Sequence, residues 1–278
     1  MTVLVFSALL FVGALAAGLL GSLTGLGGGV ILIPLLTLVF KVDIHYAIGA
    51  SLVSVIATSS GAAAAYVREG ISNIRLGMFL EVATTLGAVG GAYLATYLST
   101  SVIAIVFGAV LIVCAVLSFL KQADNLVTGT GSRLTRVLKL NGSYPGPNGP
   151  QAYTVKNVAG GFLMMNVAGV LSGLLGIGSG ALKVLAMDNI MRTPFKVSTT
   201  TSNFMIGVTA AASAGIYLRR GYIDPGLSMP VMLGVLAGAF AGSRILTKAR
   251  VSSLKQVFAL VILLLAVEMI YNGIYHKI

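Results

Sequence analysis

Charged side chains are scarce in this sequence: only 9% of its 278 residues are Asp, Glu, Lys or Arg, against roughly 25% in soluble domains. So few charges cannot make a water-facing surface, which excludes an ordinary soluble enzyme. Tryptophan is absent and the basic residues are not interleaved with aromatics, so the net charge of +11 does not describe a nucleic-acid groove. The single cysteine, Cys114, excludes an internal disulfide and a Cys-based metal site, and is expected to be a small packed hydrophobe. The two histidines, His45 in a short loop and His276 at the C-terminus, offer no constellation for catalysis or a metal. No cofactor is expected.

What the chain has in abundance is apolar surface: 57% of its residues are hydrophobic and the mean hydropathy is +0.98. The reading is an all-α polytopic membrane protein of the cell membrane, with lipid as a partner. Ten apolar segments follow one another, in the first half Thr2–Leu23, Val30–Phe40, Tyr46–Val67, Leu76–Leu98 and Val102–Leu120. The second half has Val155–Leu175, Ala181–Met191, Val197–Leu218, Leu227–Thr247 and Leu254–Tyr275. Most reach the ~20 residues needed to cross ~30 Å of hydrocarbon. Val30–Phe40 and Ala181–Met191 do not; at ~1.5 Å per residue each covers about half the thickness. The first segment has no Lys or Arg before Lys41, so it lacks the basic start of a signal peptide and is expected to be a retained helix.

The two halves repeat at a constant offset of 151 residues. Gly18, Gly25, Gly27 and Gly29 meet Gly169, Gly176, Gly178 and Gly180; Ser51 and Thr58 meet Ser202 and Thr209; Tyr66, Arg68 and Gly70 meet Tyr217, Arg219 and Gly221. The chain therefore divides into a first transmembrane repeat (1–120), a linker (121–156) and a second repeat (157–278).

The loop charges choose the topology. If each short segment folds back on the helix before it, four of the 18 basic residues (Lys41, Arg219, Arg220 and Lys277) face one side. All the others except Lys183 then face the opposite side. Making each short segment half of one broken crossing gives a far weaker bias. The positive-inside rule thus favours the fold-back. It places the linker in the cytoplasm, its basic residues against anionic lipid, puts both termini outside, and makes the halves inverted repeats of five segments each. The Gly, Pro and Asn density of the linker marks turns rather than a domain.

Chemistry is expected at the two glycine-rich breaks, Gly27-Gly-Gly29 and Gly178-Ser-Gly180. Close helix packing is one reading of such glycines. Here each cluster interrupts a long helix directly before a short one, twice in register, and non-helical backbone at membrane depth survives only where it is buried or lines a cavity. The freed N–H groups at a helix start suit an anion. Hydroxyls and an amide near the breaks, Ser51, Thr201, Ser202 and Asn203, are candidate ligands, Asn203 foremost because its amide offers two donors. Lys183, three residues past Gly180, is too deep to snorkel and is the one ionisable group placed near mid-membrane. Glu81 and Glu268 are expected at the interfaces.

The Gly-Leu-Gly-Gly-Gly break, the stretch Gly173-Leu-Leu-Gly-Ile-Gly-Ser-Gly-Ala-Leu-Lys183, the motif Thr201-Ser-Asn-Phe204, and Tyr217-x-Arg-x-Gly-Tyr-Ile-Asp224 followed by Pro230-Val-x-Leu-Gly234 together resemble the sulfite exporter TauE/SafE family. Ser179 stands where members often carry a third glycine, and Leu185 where they carry a proline. The resemblance implies a membrane permease, not an enzyme, for a small sulfur-containing anion such as sulfite or an organosulfonate like sulfoacetate. Passage of another small anion and a non-transporting membrane scaffold are the alternatives, and a homodimer is left open. With no carboxylate expected at depth, the sequence reads as passive, electrogenic export insensitive to sodium and to pH gradients.

Overall fold

A chain this apolar must satisfy its backbone internally wherever lipid surrounds it, and helices do so within one segment. The computed structural model of the chain describes residues 3–24, 28–68, 70–119, 133–146, 149–246 and 251–275. The first half comprises α1 (Val3–Thr24), α2 (Gly29–Pro34), α3 (Ile44–Arg68), α4 (Ile74–Ala95) and α5 (Thr100–Phe119). Between the halves lie α6 (Arg133–Val137) and a hairpin of β1 (Gly142–Gly146) and β2 (Gly149–Tyr153). The second half comprises α7 (Val158–Leu175), α8 (Gly180–Leu185), α9 (Phe195–Arg219), α10 (Pro225–Leu246) and α11 (Val251–Ile274). Among the described residues, four stretches are long and apolar enough to cross a membrane by themselves: Leu4–Gly21, Ile74–Ala95, Val158–Leu175 and Pro225–Gly242. The protein is an all-α multi-pass membrane protein.

Helix starts are fixed locally. Asn73 Oδ1 accepts from Leu76 N at 3.0 Å to open α4, and Asp224 Oδ1 accepts from Leu227 N at 2.9 Å to open α10. The two short helices share one geometry. α2 runs into a π-helical turn over Leu35–Val39, and α8 into the same turn over Ala186–Ile190. Both close with paired bonds, Phe40 N to Leu35 O and Val42 N to Leu36 O in one, Met191 N to Ala186 O and Thr193 N to Met187 O in the other. Pro34 precedes the first turn and Leu185 the second, so proline is not what widens the helix.

Each short segment folds back on the helix before it. A Cβ on Gly13 would lie 3.1 Å from Leu35 and 3.4 Å from Phe40, whose ring meets Phe6 edge to face. In the second half Lys156 N donates to Met191 O at 2.9 Å, and Met191 packs on Gly161.

Helix pairing follows the 151-residue offset. α1 packs on α10, and its mate α7 packs on α4, the mate of α10. Glycines let these backbones touch at corresponding places: Gly18 against Val235 and Gly169 against Thr84, Gly238 against Leu15 and Gly87 against Asn166. α3 packs on its own mate α9, and α5 on its mate α11. These two self-pairs run antiparallel. The start of α3 meets Tyr222 just beyond α9, while Ser59 meets Gly207; Gly108 meets Ala266 and Ile270, while Gly273 meets Ser101 and Ile105.

The segment between the halves differs from the turns expected of it, because it forms a β-hairpin and is tied down. Pro145 and Pro150 pair opposite each other. In a two-stranded sheet, prolines cost no further ladder bonds. Leu140, Tyr153 and Val155 share a core with Leu76, Leu80, Met187 and Val197. Asn73 Nδ2 donates to Leu140 O and to Tyr153 Oη, both at 2.8 Å, and burial pushes the Tyr153 phenol up to about 12.

The glycine contacts generate a stability test. Gly87→Leu would drive a side chain into the Asn166 carbonyl, whereas at Gly90 nothing lies within 4 Å. Overpacking typically costs about 1–3 kcal/mol, so Gly87→Leu is expected to lower the melting temperature and broaden the size-exclusion peak in detergent, with Gly90→Leu unchanged.

Candidate functional site

The two breaks meet. Ser51 on α3 donates to Gly176 O at 2.8 Å, and a Cβ on Gly29 would lie 2.6 Å from that same Ser51 Oγ and 3.4 Å from Gly176 O. One hydroxyl thus links the start of α2 to the opposite break and satisfies a carbonyl that the helix interruption frees. Its repeat mate also bonds at the second break: Ser202 Oγ donates to the carbonyl of Gly180, the first residue of α8, at 3.2 Å.

The second break is a left-handed turn. Gly176 ends α7 at φ +66°, Gly178 lies at φ +73°, and Ser179 lies at φ +46°. Glycine takes such angles freely, and a residue with a side chain does so at a cost of roughly 1–2 kcal/mol. Ser179 accepts that strain while its hydroxyl, buried, has no hydrogen-bond partner among the described residues. Ser179 lines a small, mostly apolar cavity shared with Val30, Cys114, Ile177, Gly180, Ala181 and Leu182. A buried orphan hydroxyl on a strained turn is the feature of this break that packing does not explain.

Gly28, Gly29, Ser51, Gly178, Ser179, Gly180 and Ser202 are brought together around this meeting point. Gly27 lies outside the described residues. Thr201 and Asn203 belong to other faces of α9. Thr201 Oγ1 accepts from Asn73 N at 3.0 Å, its methyl packs on Gly77, and the residue ties α9 to the start of α4. Asn203 is half-buried, about 100° round the helix from Ser202, and none of its hydrogen bonds is to a described residue.

Lys183 is fully buried, but it does not point at the break. Its Nζ donates to Thr209 Oγ1 at 2.5 Å, and Thr209 Oγ1 donates in turn to Glu81 Oε1 at 2.7 Å. Glu81, expected at an interface, is 7% exposed and turned inward from α4 toward α9 and α8 rather than toward the surface. Sequence spacing gave no sign of this, because Glu81 and Lys183 are 102 positions apart and neither has an ionisable repeat mate. Glu268 is exposed. His45 is also more integrated than a loop residue. Its Nδ1 lies 3.0 Å from Asp43, its Nε2 3.2 Å from Ala95 O, and its ring stacks on Tyr222. The imidazole beside Asp43 holds that carboxyl below the usual carboxylate range.

Helices interrupted at glycines, with the start of α2 set against the break before α8 inside a multi-pass bundle, are a design found among membrane transporters. The comparisons agree. The family model described as sulfite exporter TauE/SafE matches residues 10–269, and the chain belongs to that family, which is one of permeases and not of enzymes. It is 27% identical over 275 residues to the probable membrane transporter protein YunE of Bacillus subtilis (strain 168), covering 96% of this chain and 98% of that one. It is also 27% identical over 233 residues to YdhB of the same strain, covering 82% and 85%. A probable membrane transporter protein of Xylella fastidiosa (strain 9a5c) is 26% identical over 262 residues, covering 93% and 91%. No solved structure matches the chain.

Strain and orphan hydroxyl together make Ser179 informative. Ser179→Gly is expected to raise thermal stability by up to about 1 kcal/mol by relieving the left-handed strain, while weakening anion affinity several-fold. The two are read as melting temperature and as the half-saturating anion concentration for flux.

Proposed function

We propose that the protein carries a small sulfur-containing anion, sulfite or an organosulfonate such as sulfoacetate, across the cell membrane, and that the anion binds where the two breaks meet. The observation that carries this reading is the buried, unpartnered Ser179 hydroxyl facing a cavity at the start of α8. A hydroxyl donor beside successive backbone N–H groups of a left-handed turn forms a concave nest suited to oxyanions. Gly178 and Gly180 leave the backbone bare, and Ser51 and Ser202 hold the carbonyls away from the anion by bonding them. Gly28 and Gly29 at the start of α2 border the same place from the first repeat, without the left-handed turn of the second. Lys183, one turn into α8, is directed to Thr209 and makes no direct contact at the break. Thr201 and Asn203 are assigned to helix packing and to the approach path.

The antiparallel packing of α3 on α9 and of α5 on α11 supports an inverted relation between the halves, as does the fold-back of both short segments. With the linker in the cytoplasm, the two hairpin tips enter from opposite faces and the site is reached from each side in turn. Export is the proposed direction; a negative charge leaving an inside-negative cell without a coupled cation would gain ~2.3 kcal/mol per 100 mV, a contribution that a co-transported cation cancels.

Two measurements test this. Purified protein in liposomes is expected to exchange labelled sulfite or 2-hydroxyethanesulfonate, and Gly178→Leu, whose side chain would meet Ile206, is expected to abolish exchange while the protein still reaches the membrane. Lack of exchange by the natural protein with both anions would refute the transport reading. For sidedness, Ser143→Cys in a Cys114→Ala background is expected to react with a membrane-impermeant maleimide only after the cytoplasmic face is opened, because Ser143 is exposed on β1.

A further inference from the structure

We propose that Glu81, Thr209 and Lys183 form a proton-binding site that couples proton movement to anion movement. The inference rests on the transport reading above and adds its driving force.

The three groups make a directed chain across three helices. The Lys183 ammonium on α8 donates to Thr209 Oγ1 on α9, whose single hydrogen is shared between Glu81 Oε1 on α4 at 2.7 Å and the Met205 carbonyl at 2.8 Å. Thr85 Oγ1 also donates to Glu81 Oε1, at 3.2 Å. Oε1 is therefore occupied. Oε2 is buried and has no partner among the described residues. It is the position on this cluster where a proton can be added without breaking a hydrogen bond that already exists.

Among the described residues, no other charged side chain bonds to Glu81, Thr209 or Lys183. α4 packs on α7 and α9, and α7 carries no titratable side chain. On α9, Lys196 is exposed at one end, Arg219 ends the helix, and Tyr217 is engaged with the carbonyls of Gly173 and Leu174. α8 packs on α9, α7 and α5. On α5 the titratable group is Cys114, which faces the cavity with Leu182 rather than the cluster. Asp188 lies five residues beyond Lys183, on another sector of that segment. Arg75 is exposed, six residues before Glu81. Glu81 and Lys183 thus answer to each other.

The balance of charge then follows. With Glu81 ionised and Lys183 an ammonium ion, the cluster is neutral overall. A proton from the aqueous phase forms one O–H bond at Oε2 and leaves the cluster at +1. A net charge buried in hydrocarbon is costly, and a monovalent anion at the break cancels it. Proton and anion binding therefore favour each other reciprocally. The distance suits this. Ser202 holds Gly180 at the break and Thr209 holds Lys183, both on one face of α9, seven residues or about 10 Å apart. When both ligands leave, Oε2 loses its proton to water and the neutral pair is restored. Coupled passage of one proton and one monovalent anion moves no net charge, so the membrane potential no longer sets direction. The pH and anion gradients do.

The test uses the full chain in liposomes with the potential clamped at zero by potassium and valinomycin. Sulfite and 2-hydroxyethanesulfonate are both assayed, always against Glu81→Gln, so that protonation of the anion itself cancels. The natural protein is expected to accumulate anion about tenfold per pH unit imposed. Glu81→Gln is expected to keep anion counterflow in the absence of any pH gradient and to lose the pH-driven accumulation. Thr209→Val, which keeps the volume and removes the bridging hydroxyl, is expected to lose most of that accumulation. A structural role alone would lower counterflow and melting temperature together and leave no selective loss. The proposal is overturned by flux in the natural protein that ignores the pH gradient, or by unchanged coupling in either variant. Absence of counterflow in the natural protein, seen without any gradient, overturns the transport reading and this one with it.

Discussion

Every exposed carbonyl and amide that a helix break creates inside a membrane must find a partner within the protein, because lipid offers none. This constraint explains why the two breaks lie against each other. Ser51 crosses from the first repeat to cap the Gly176 carbonyl of the second, and Ser202 caps Gly180 from the neighbouring helix. The second interruption is therefore not self-sufficient: it is held by a hydroxyl from the first repeat and by one from the helix that follows it.

The same economy governs the frame. Mate glycines at Gly18 and Gly169, and at Gly87 and Gly238, bring α1 onto α10 and α7 onto α4 with backbone touching backbone. Without a hydrophobic force between helices in lipid, such close approach supplies much of what association there is. The self-paired mates α3 and α9 then occupy the middle, each carrying its serine to a break. The hydroxyls on these two central helices serve the junction on one face and the helix's own carbonyls on others, as Ser54 does with Ala50 and Thr199 with Phe195.

Much of this was legible in the sequence because it rests on local or repeated patterns. The 151-residue offset exposed the duplication, the run lengths exposed the short segments, and the paired Gly clusters marked the breaks. The fold-back followed from loop charge alone. What depended on distant pairs was not legible. Which hydroxyl or amide of α9 reaches the break depends on helical phase: Ser202 meets Gly180, and Asn203 lies about 100° round the helix from it. The linker hairpin was hidden by prolines that argue against strands in a larger sheet and are harmless in a two-stranded one. Glu81 looked peripheral because it comes early in its segment, and depth along a helix says nothing about which side of it is buried.

The misplacement of Glu81 changes the energetics more than any other difference. A lone Lys183 at depth would be an uncompensated charge, expensive to keep and useful only as a fixed attraction for anions. Paired through Thr209 with a carboxylate, it becomes part of a neutral cluster, so the resting site is affordable in hydrocarbon and its charge changes by one with a single proton. The pair also breaks the symmetry of the repeat. Lys183 corresponds to Leu32 and Glu81 to Met232, so the first break has no such partner. The backbone differs as well: Gly28 precedes α2 in the right-handed region at φ −65°, whereas its mate Ser179 precedes α8 in the left-handed region at φ +46°. Both the left-handed turn and the ionisable pair thus belong to the second break, so in the proposed carrier the response to charge is built on the α8 side.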